Sequence, residues 1–300
     1  MASKLSVNKS KIAKGKILFY ACIVALPLLQ FAIFYIGVNI NSFVLAFQRW
    51  DGEKYRYVWH GLWNFKDVLV DLVTNAQLII SMRNSLILFV VGAFLGSTLA
   101  LYFAYYIFKK HFAYRFFKTV LFLPNVVSSV TLAIMLLYFT TDASKAIIGI
   151  ELLTEKNTKL PTLIFISIML SFGVQTLVYS GSMSGISESI LEAAVLDGIT
   201  PIKELVLIVV PMIFPTISVF IVSSIAQVFL NQMNVFNMYG ADAPDINIYT
   251  IGYYLYTKIL GATNTEFPYY SAFGLVLTFI TVPIAFGAKY LLDKFGPSVE

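Results

Sequence analysis

The sequence predicts an all-α membrane protein with six transmembrane helices. Of the 300 residues, 12% are charged and 58% are hydrophobic, whereas a typical soluble domain has about 25% charged residues. Six stretches contain no Asp, Glu, Lys or Arg, and each can hold the roughly 20 apolar residues that cross a bilayer. Because a charge at the bilayer centre costs about 2.5–3.5 kcal/mol, long charge-free stretches indicate membrane spans. The predicted spans are 17–40, 85–108, 119–139, 161–181, 214–237 and 270–290.

The Lys and Arg residues predict the orientation of these spans. Basic residues concentrate in the N-terminal tail, in the connection between the second and third spans, and near the C-terminus; they are Lys4, Lys9, Lys11, Lys14, Lys16, Lys109, Lys110, Arg115, Lys118, Lys289 and Lys294. With six spans these segments share one side of the membrane, which the positive-inside rule makes cytoplasmic. We therefore predict both termini in the cytoplasm of a multi-pass protein of the cell membrane.

The same topology predicts the domain organisation. A cytoplasmic tail at 1–16 precedes a six-helix transmembrane domain at 17–292, and a second tail occupies 293–300. The apolar run from Ile17 is too long for a typical signal peptide, so we expect an uncleaved first span. The connection at about 182–213 lies on the cytoplasmic side. The segment 48–84 lies on the opposite side, and we predict a structured loop anchored by its tryptophans, with a short interfacial helix as the alternative.

Several kinds of chemistry are disfavoured. His60 and His111 fall on opposite sides of the membrane, so they cannot share a metal, and a single cysteine, Cys22, excludes an internal disulfide. The chain has no GxxxxGK[ST] phosphate-binding loop. None of the charge-free windows offers the ionisable group that proton-coupled carriers usually need, although sodium coupling stays open. We therefore expect neither an enzyme nor a metal site. We also expect no nucleic-acid partner, since the topology of the chain explains the net charge of +5.

The connection EAAVLDGITPIKELVLIVVP, Glu192 to Pro211, carries the strongest motif. A helix-compatible run from Ile190 ends at Asp197-Gly198, because glycine tolerates the positive φ that other residues resist. An amphipathic helix is expected to resume after Pro201. The alternative is an ordinary interfacial loop whose alanines merely favour helix.

This pattern resembles the EAA loop of binding-protein-dependent ABC importer permeases. The family pattern is E-A-A, three residues, G, nine residues, I, any residue and L-P, and here Val210 replaces the Leu. The run YRFFKTVLFLPNVVSS, Tyr114 to Ser129, is similar to the third-span entry of the sugar-type members. Ile199 and Pro201 depart from the usual residues, which leaves the exact ATPase partner open. The short C-terminal tail favours the first permease of the maltose and glycerol-phosphate type.

The resemblance implies roles and partners. In the family, the short helix of this loop docks onto an ATPase subunit and moves when the nucleotide sites close. The ATPase-coupling residues carried over are Glu192, Ala193, Ala194, Asp197, Gly198 and Pro211. The implied partners are a second homologous permease, two ATPase subunits, an extracytoplasmic solute-binding protein and membrane lipid. ATP and Mg²⁺ would bind to the partner subunits, so this chain would need no cofactor of its own.

Polar side chains inside two spans predict a translocation pathway. In span five they recur at spacings of three, four and three, which places them on one face of a continuous helix. Unpaired polar groups in hydrocarbon cost several kcal/mol, so they should face a cavity or other helices. The predicted pathway residues are Ser171, Gln175, Ser224, Gln227, Asn231 and Asn234. The alternative is helix packing, which we favour for the small residues of span six.

The sequence therefore predicts the permease subunit of an ATP-driven ABC importer for a carbohydrate. Amide and aromatic side chains suit neutral, hydroxyl-rich ligands. The alternatives are a stand-alone, ion-coupled secondary transporter and a membrane scaffold without a pathway. The sequence does not identify the sugar.

Overall fold

The computed structural model describes residue 16 and residues 19–297, and its regular elements are helices apart from one β-hairpin. The rest of the predicted tail at 1–16 lies outside the described residues, as do residues 17–18 and 298–300. The helices are α1 (Phe19–Leu45), α2 (Trp63–Thr74), α3 (Ala76–Phe108), α4 (Tyr114–Phe122), α5 (Ser129–Ile148), α6 (Lys159–Met183), α7 (Glu188–Leu196), α8 (Pro201–Met212), α9 (Phe214–Ala226), α10 (Val235–Tyr239), α11 (Ile251–Leu260) and α12 (Phe267–Phe295). The strands are β1 (Gln48–Asp51) and β2 (Arg56–Trp59).

Five of these helices, α1, α3, α5, α6 and α12, are long and apolar enough to cross a membrane. In the described part of the chain, α8 and α9 make a sixth candidate if this bent pair is one span. The predicted all-α membrane fold is confirmed on that count. The cytoplasmic orientation of the termini stays a prediction.

The second and third predicted spans differ clearly from the helices of the structure. Helix α3 begins at Ala76 instead of 85, because the Asn75 side chain caps it by accepting hydrogen bonds from the backbone N–H groups of Gln77 (2.9 Å) and Leu78 (3.4 Å). The predicted span at 119–139 lies at Ser129–Ile148 instead. Pro124, which lacks a backbone N–H group, lies in a 3-10 turn after α4, and a separate helix, α5, begins at Ser129.

The predicted fifth span is not one straight helix. Helices α8 and α9 meet at Ile213 with a bend of 74°, because Pro215 in the first turn of α9 has no N–H to continue the hydrogen-bond ladder. Helix α9 then ends at Ala226, well before the predicted 237. Met233 and Asn234 have positive φ angles of 50° and 57°, which a continuous right-handed helix cannot contain.

One compact unit comprises the described residues up to Val68 together with Ala262–Leu275. Strands β1 and β2 pair antiparallel in it, with Gln48 opposite Trp59. The Asn64 side chain donates hydrogen bonds to the carbonyls of Ala46 (2.8 Å) and Gln48 (2.7 Å). The Phe47 and Trp59 rings stack 5.5 Å apart. The segment 48–84 is structured, as predicted, but it begins with a hairpin followed by α2. The strands were not predicted because charged residues are mixed among their apolar ones.

The second unit comprises Leu69–Gly261 and the described residues from Val276 onward. Helix α6 runs through two hydrophobic clusters, one around Leu163 and one around Tyr179. At Gly173 the backbone of α6 meets that of α4 so closely that an added Cβ would lie 1.9 Å from the Leu121 carbonyl oxygen. These contacts make α6 the central helix of the unit. The candidate site lies entirely within this unit.

Candidate functional site

Helix α7 and the turn after it form the motif-bearing loop. At its end, the backbone N–H of Gly198 donates to Val195 (3.0 Å) and that of Ile199 donates to Ala194 (3.1 Å). This pairing is a Schellman motif, which requires a left-handed residue at the position after the cap. Gly198 supplies it with φ +70°, and nothing lies within 4 Å of a Cβ added there. The predicted turn is confirmed; the helix begins at Glu188, slightly earlier than predicted.

Most side chains of this loop point away from the rest of the unit. Glu192, Ala193 and Asp197 are exposed, while Ala194 packs inward with 3% of its surface exposed. Leu196 is an apolar residue with 88% of its surface exposed. The loop thus presents two acidic residues, an alanine and an uncovered leucine on an outward surface.

Helix α8 anchors the loop to α3. The Glu204 carboxylate is almost fully buried and forms an ion pair with the Lys109 ammonium group at 2.5 Å. Lys109 is the C-cap of α3, where a cation interacts favourably with the helix macrodipole. Pro211 lies further along α8, in the turn that leads to the bend at Ile213. The motif therefore extends from an exposed helix to the base of a candidate span.

A cavity of about 340 Å³ lies in the same unit. Helices α3, α6 and α9, the 3-10 turn after α4 and the chain after Ala226 form its wall, and every lining residue is uncharged. The polar lining residues are Ser85, Ser97, Asn125, Ser167, Ser171, Gln175, Ser223, Ser224, Gln227 and Asn231. The rings of Phe89 and Phe220 also line it. Such a surface can donate and accept hydrogen bonds but offers no charge to an ion.

Gln175 is the side chain that joins two walls of the cavity. Its amide nitrogen donates to the Ser97 hydroxyl (2.8 Å) on α3 and to the Tyr179 hydroxyl (3.0 Å) one turn along α6. Both N–H groups are used in this way, so the amide oxygen is the group left to accept a hydrogen bond from a ligand. Gln175 therefore links α3 to α6 at the level of the cavity.

Gln227 and Asn231 reach the cavity from outside any helix. The Gln227 amide nitrogen donates to the Ser223 hydroxyl (2.9 Å), and the side-chain Oδ1 of Asn231 accepts from the Met233 backbone N–H (2.9 Å). The prediction that they share one helical face with Ser224 is wrong, because α9 ends at Ala226. They nevertheless line the same cavity as Ser224.

Of the two remaining predicted pathway residues, one lines the cavity and the other does not. Ser171 lines the cavity, and its hydroxyl donates back to the Ser167 carbonyl (3.0 Å). Asn234 is not among the lining residues; it takes the left-handed conformation before α10, and its side-chain oxygen accepts from Asn237 (3.1 Å). Asparagine tolerates this conformation better than most residues, which gives Asn234 a turn-forming place in the fold.

Sequence reasoning missed several lining residues. Ser97 lies in an otherwise apolar run, and Asn125 follows Pro124 in a stretch read as a transmembrane helix. Ser85 and Asn84 are adjacent on α3: the Asn84 amide donates to the carbonyls of Asn247 (2.7 Å) and Tyr249 (2.9 Å). The pair follows Arg83 at the edge of a charge-free window, and this position carries no sequence signal of the hydrogen bonds that it makes.

Comparisons with known proteins agree with this architecture. Residues 92–300 match the family described as the binding-protein-dependent transport system inner membrane component. LplB of Bacillus subtilis (strain 168) is 25% identical over 271 residues, covering 84% of this chain and 81% of LplB. The glucose import system permease protein GlcT of Saccharolobus solfataricus is 25% identical over 286 residues, covering 91% of this chain and 96% of GlcT.

A solved structure supports the fold. It is a bacterial ABC transporter involved in the import of the acidic polysaccharide alginate, and one of its chains aligns with a TM-score of 0.75 at 21% identity, covering 95% of this chain and 98% of that chain. The match of the family to residues 92–300 takes in the motif loop and nearly all of the cavity wall. The chain is therefore a multi-pass membrane protein that belongs to the family of binding-protein-dependent transport system inner membrane components.

Proposed function

We propose that this chain is the permease subunit of an ATP-driven importer for a carbohydrate. The observation that carries the proposal is the cavity, whose wall combines amides, hydroxyls and two phenylalanine rings without a charged group. Sugars present hydroxyl groups and apolar ring faces, so this surface matches them chemically. Ligand sites commonly pair a mostly apolar lining with a few placed polar groups.

The motif loop supplies the connection to ATP. Glu192, Ala193 and Asp197 are exposed on a short helix, and Gly198 fixes the turn that follows it. An ATPase subunit that grips this helix would transmit its closure through α8 towards the cavity. Pro211 belongs to this element because it lies before the bend between α8 and α9. ATP and Mg²⁺ bind to the ATPase, and this chain converts its closure into alternating access.

Relatives and solved structures support the set of partners. One related structure is described as the alginate ABC transporter in complex with an alginate pentasaccharide-bound periplasmic protein. Another relative is named as a permease protein of an sn-glycerol-3-phosphate transport system. For this chain we propose a solute-binding protein, a second homologous permease and two ATPase subunits, with the motif loop on the cytoplasmic side.

Asn231→Leu tests the pathway in the assembled complex reconstituted into liposomes. The substitution should lower sugar uptake or change the sugars that compete, while the complex still assembles, because Asn231 contacts the cavity and not the motif loop. Asn157→Leu, an exposed site in the connection between α5 and α6, is the matched control. If loss of assembly is the only effect of Asn231→Leu, the role of Asn231 is in packing and not in the pathway. Ion-driven uptake by this chain without ATP would instead establish a secondary transporter.

A further inference from the structure

We propose that the ion pair between Lys109 and Glu204 is the link that makes the cavity-lining helix α3 follow the motif loop during transport. The two residues are positioning residues, since neither lines the cavity. The inference rests on the proposed function, because it names the contact through which closure of an ATPase would reach the cavity wall.

The pair is built into the protein interior. Glu204 exposes 3% of its surface, and the Lys109 side chain exposes 25%. The Lys109 ammonium group also lies 5.7 Å from the ring centre of Tyr105, within cation–π range. Separating Lys109 from Glu204 would leave a buried carboxylate without its counter-charge, which is strongly unfavourable, so α8 and the end of α3 should move together.

The pair joins the two regions that the proposed function requires to communicate. Glu204 lies in α8, which follows the Gly198 turn after a two-residue connection. Lys109 caps α3 at one end. Further along the same helix, Ser85, Gly92 and Ser97 line the cavity. Ser97 lies about 18 Å from Lys109 along the axis, at about 1.5 Å per residue.

Helix α3 carries a second helix with it. The Phe103 and Phe172 rings make an edge-to-face contact at 5.2 Å, and Gln175 hydrogen-bonds Ser97 at 2.8 Å. Packed helices transmit displacement because protein interiors are close-packed. A movement of α8 that pulls Lys109 would therefore shift both α3 and α6 at the cavity.

The test measures ATP hydrolysed per sugar imported in the reconstituted complex. Lys109→Met and Glu204→Gln should each raise this ratio roughly 2- to 30-fold, the range expected for loss of a coupling contact. The charge-swapped double variant, Lys109→Glu with Glu204→Lys, should return it towards the wild-type value. Lys110→Met removes the exposed neighbouring charge and should leave the ratio unchanged.

A merely structural role would lower assembly or thermal stability while leaving the ratio at its wild-type value, and this result overturns the proposal. If the single variants do not assemble, the double variant Lys109→Met with Glu204→Gln leaves no unpaired buried charge, and a wild-type ratio in it overturns the proposal equally. A wild-type complex without ATP-driven uptake overturns the proposed function and the link together. A coupled wild type with unchanged variants overturns the link alone.

Discussion

The motif loop and the cavity belong to the same compact unit but are built in opposite ways. The loop holds its shape by backbone hydrogen bonds around Gly198, and the side chains of Glu192 and Ala193 remain exposed. The cavity holds its shape by side-chain contacts between helices, such as Gln175 with Ser97. A substitution in the loop can therefore change function with little effect on folding. A substitution at a contact between the helices of the cavity wall should change both.

The largest expected effect on stability is at Gly173, where α6, a helix of the cavity wall, meets α4. Gly173→Ala should destabilise the purified chain by about 3 kcal/mol or more, because the new Cβ would overlap the Leu121 backbone and the helices must separate. Thermal unfolding in detergent measures it. Gly181→Ala, in the same helix with open space around the added Cβ, is the control and should not be destabilised. Equal stability of the two variants would contradict the close packing of α4 and α6.

An intermediate effect is expected at Gly198 in the loop. Gly198→Ala forces a side chain into the left-handed region and should cost about 1–2 kcal/mol, with Gly198→Asn costing less. Because nothing lies near the added Cβ, the cost comes from the backbone alone. Uptake by the reconstituted complex should fall in the order Gly, Asn, Ala.

Gly149→Ala is the matched control for this comparison. Gly149 has φ +74° and open space around its Cβ but lies at the end of α5, outside the motif loop. The control should lose similar stability without losing coupling between ATP hydrolysis and uptake. If both variants uncouple to the same degree, backbone strain in general, and not the loop, is responsible.

The smallest effect on stability is expected at Glu192. This side chain is exposed on α7, so Glu192→Gln should change the free energy of unfolding by less than about 0.5 kcal/mol. Its uptake should fall nonetheless, because the proposed contact with the ATPase loses a charge. Glu188→Gln, on the first turn of the same helix, is the control. Unchanged uptake at full assembly would remove Glu192 from the coupling surface.

The two regions also differ in how far the sequence predicts them. The turn at Asp197-Gly198 is a local matter, since glycine supplies the positive φ by itself, and it was predicted correctly. The end of α9 at Ala226 depends on how residues 227–234 pack, and an apolar run without charges does not reveal it. The hydroxyl and amide spacing still grouped Ser224, Gln227 and Asn231, which line one cavity. The assumption behind that grouping, one continuous helix, was wrong.

Long-range pairs mark the limit of prediction. Lys109 was interpreted as a topology signal and Glu204 as the edge of an apolar window, yet the structure joins them in one buried ion pair. Ser97 gave no periodic signal, and its place is set by the contact of α3 with Gln175 on α6. Such pairs depend on which helices meet, and local spacing carries no information on this.

The central claim is that ATP acting at the loop changes access to the cavity. A single thiol at the cavity wall tests it most directly, using Ser171→Cys with Cys22, an exposed thiol, replaced by Ser. In the reconstituted complex, an impermeant maleimide should label this thiol from the loop side without nucleotide. With a non-hydrolysable ATP analogue it should label from the opposite side, and Gly198→Ala should weaken the change. Labelling from the same side in both conditions would contradict the account.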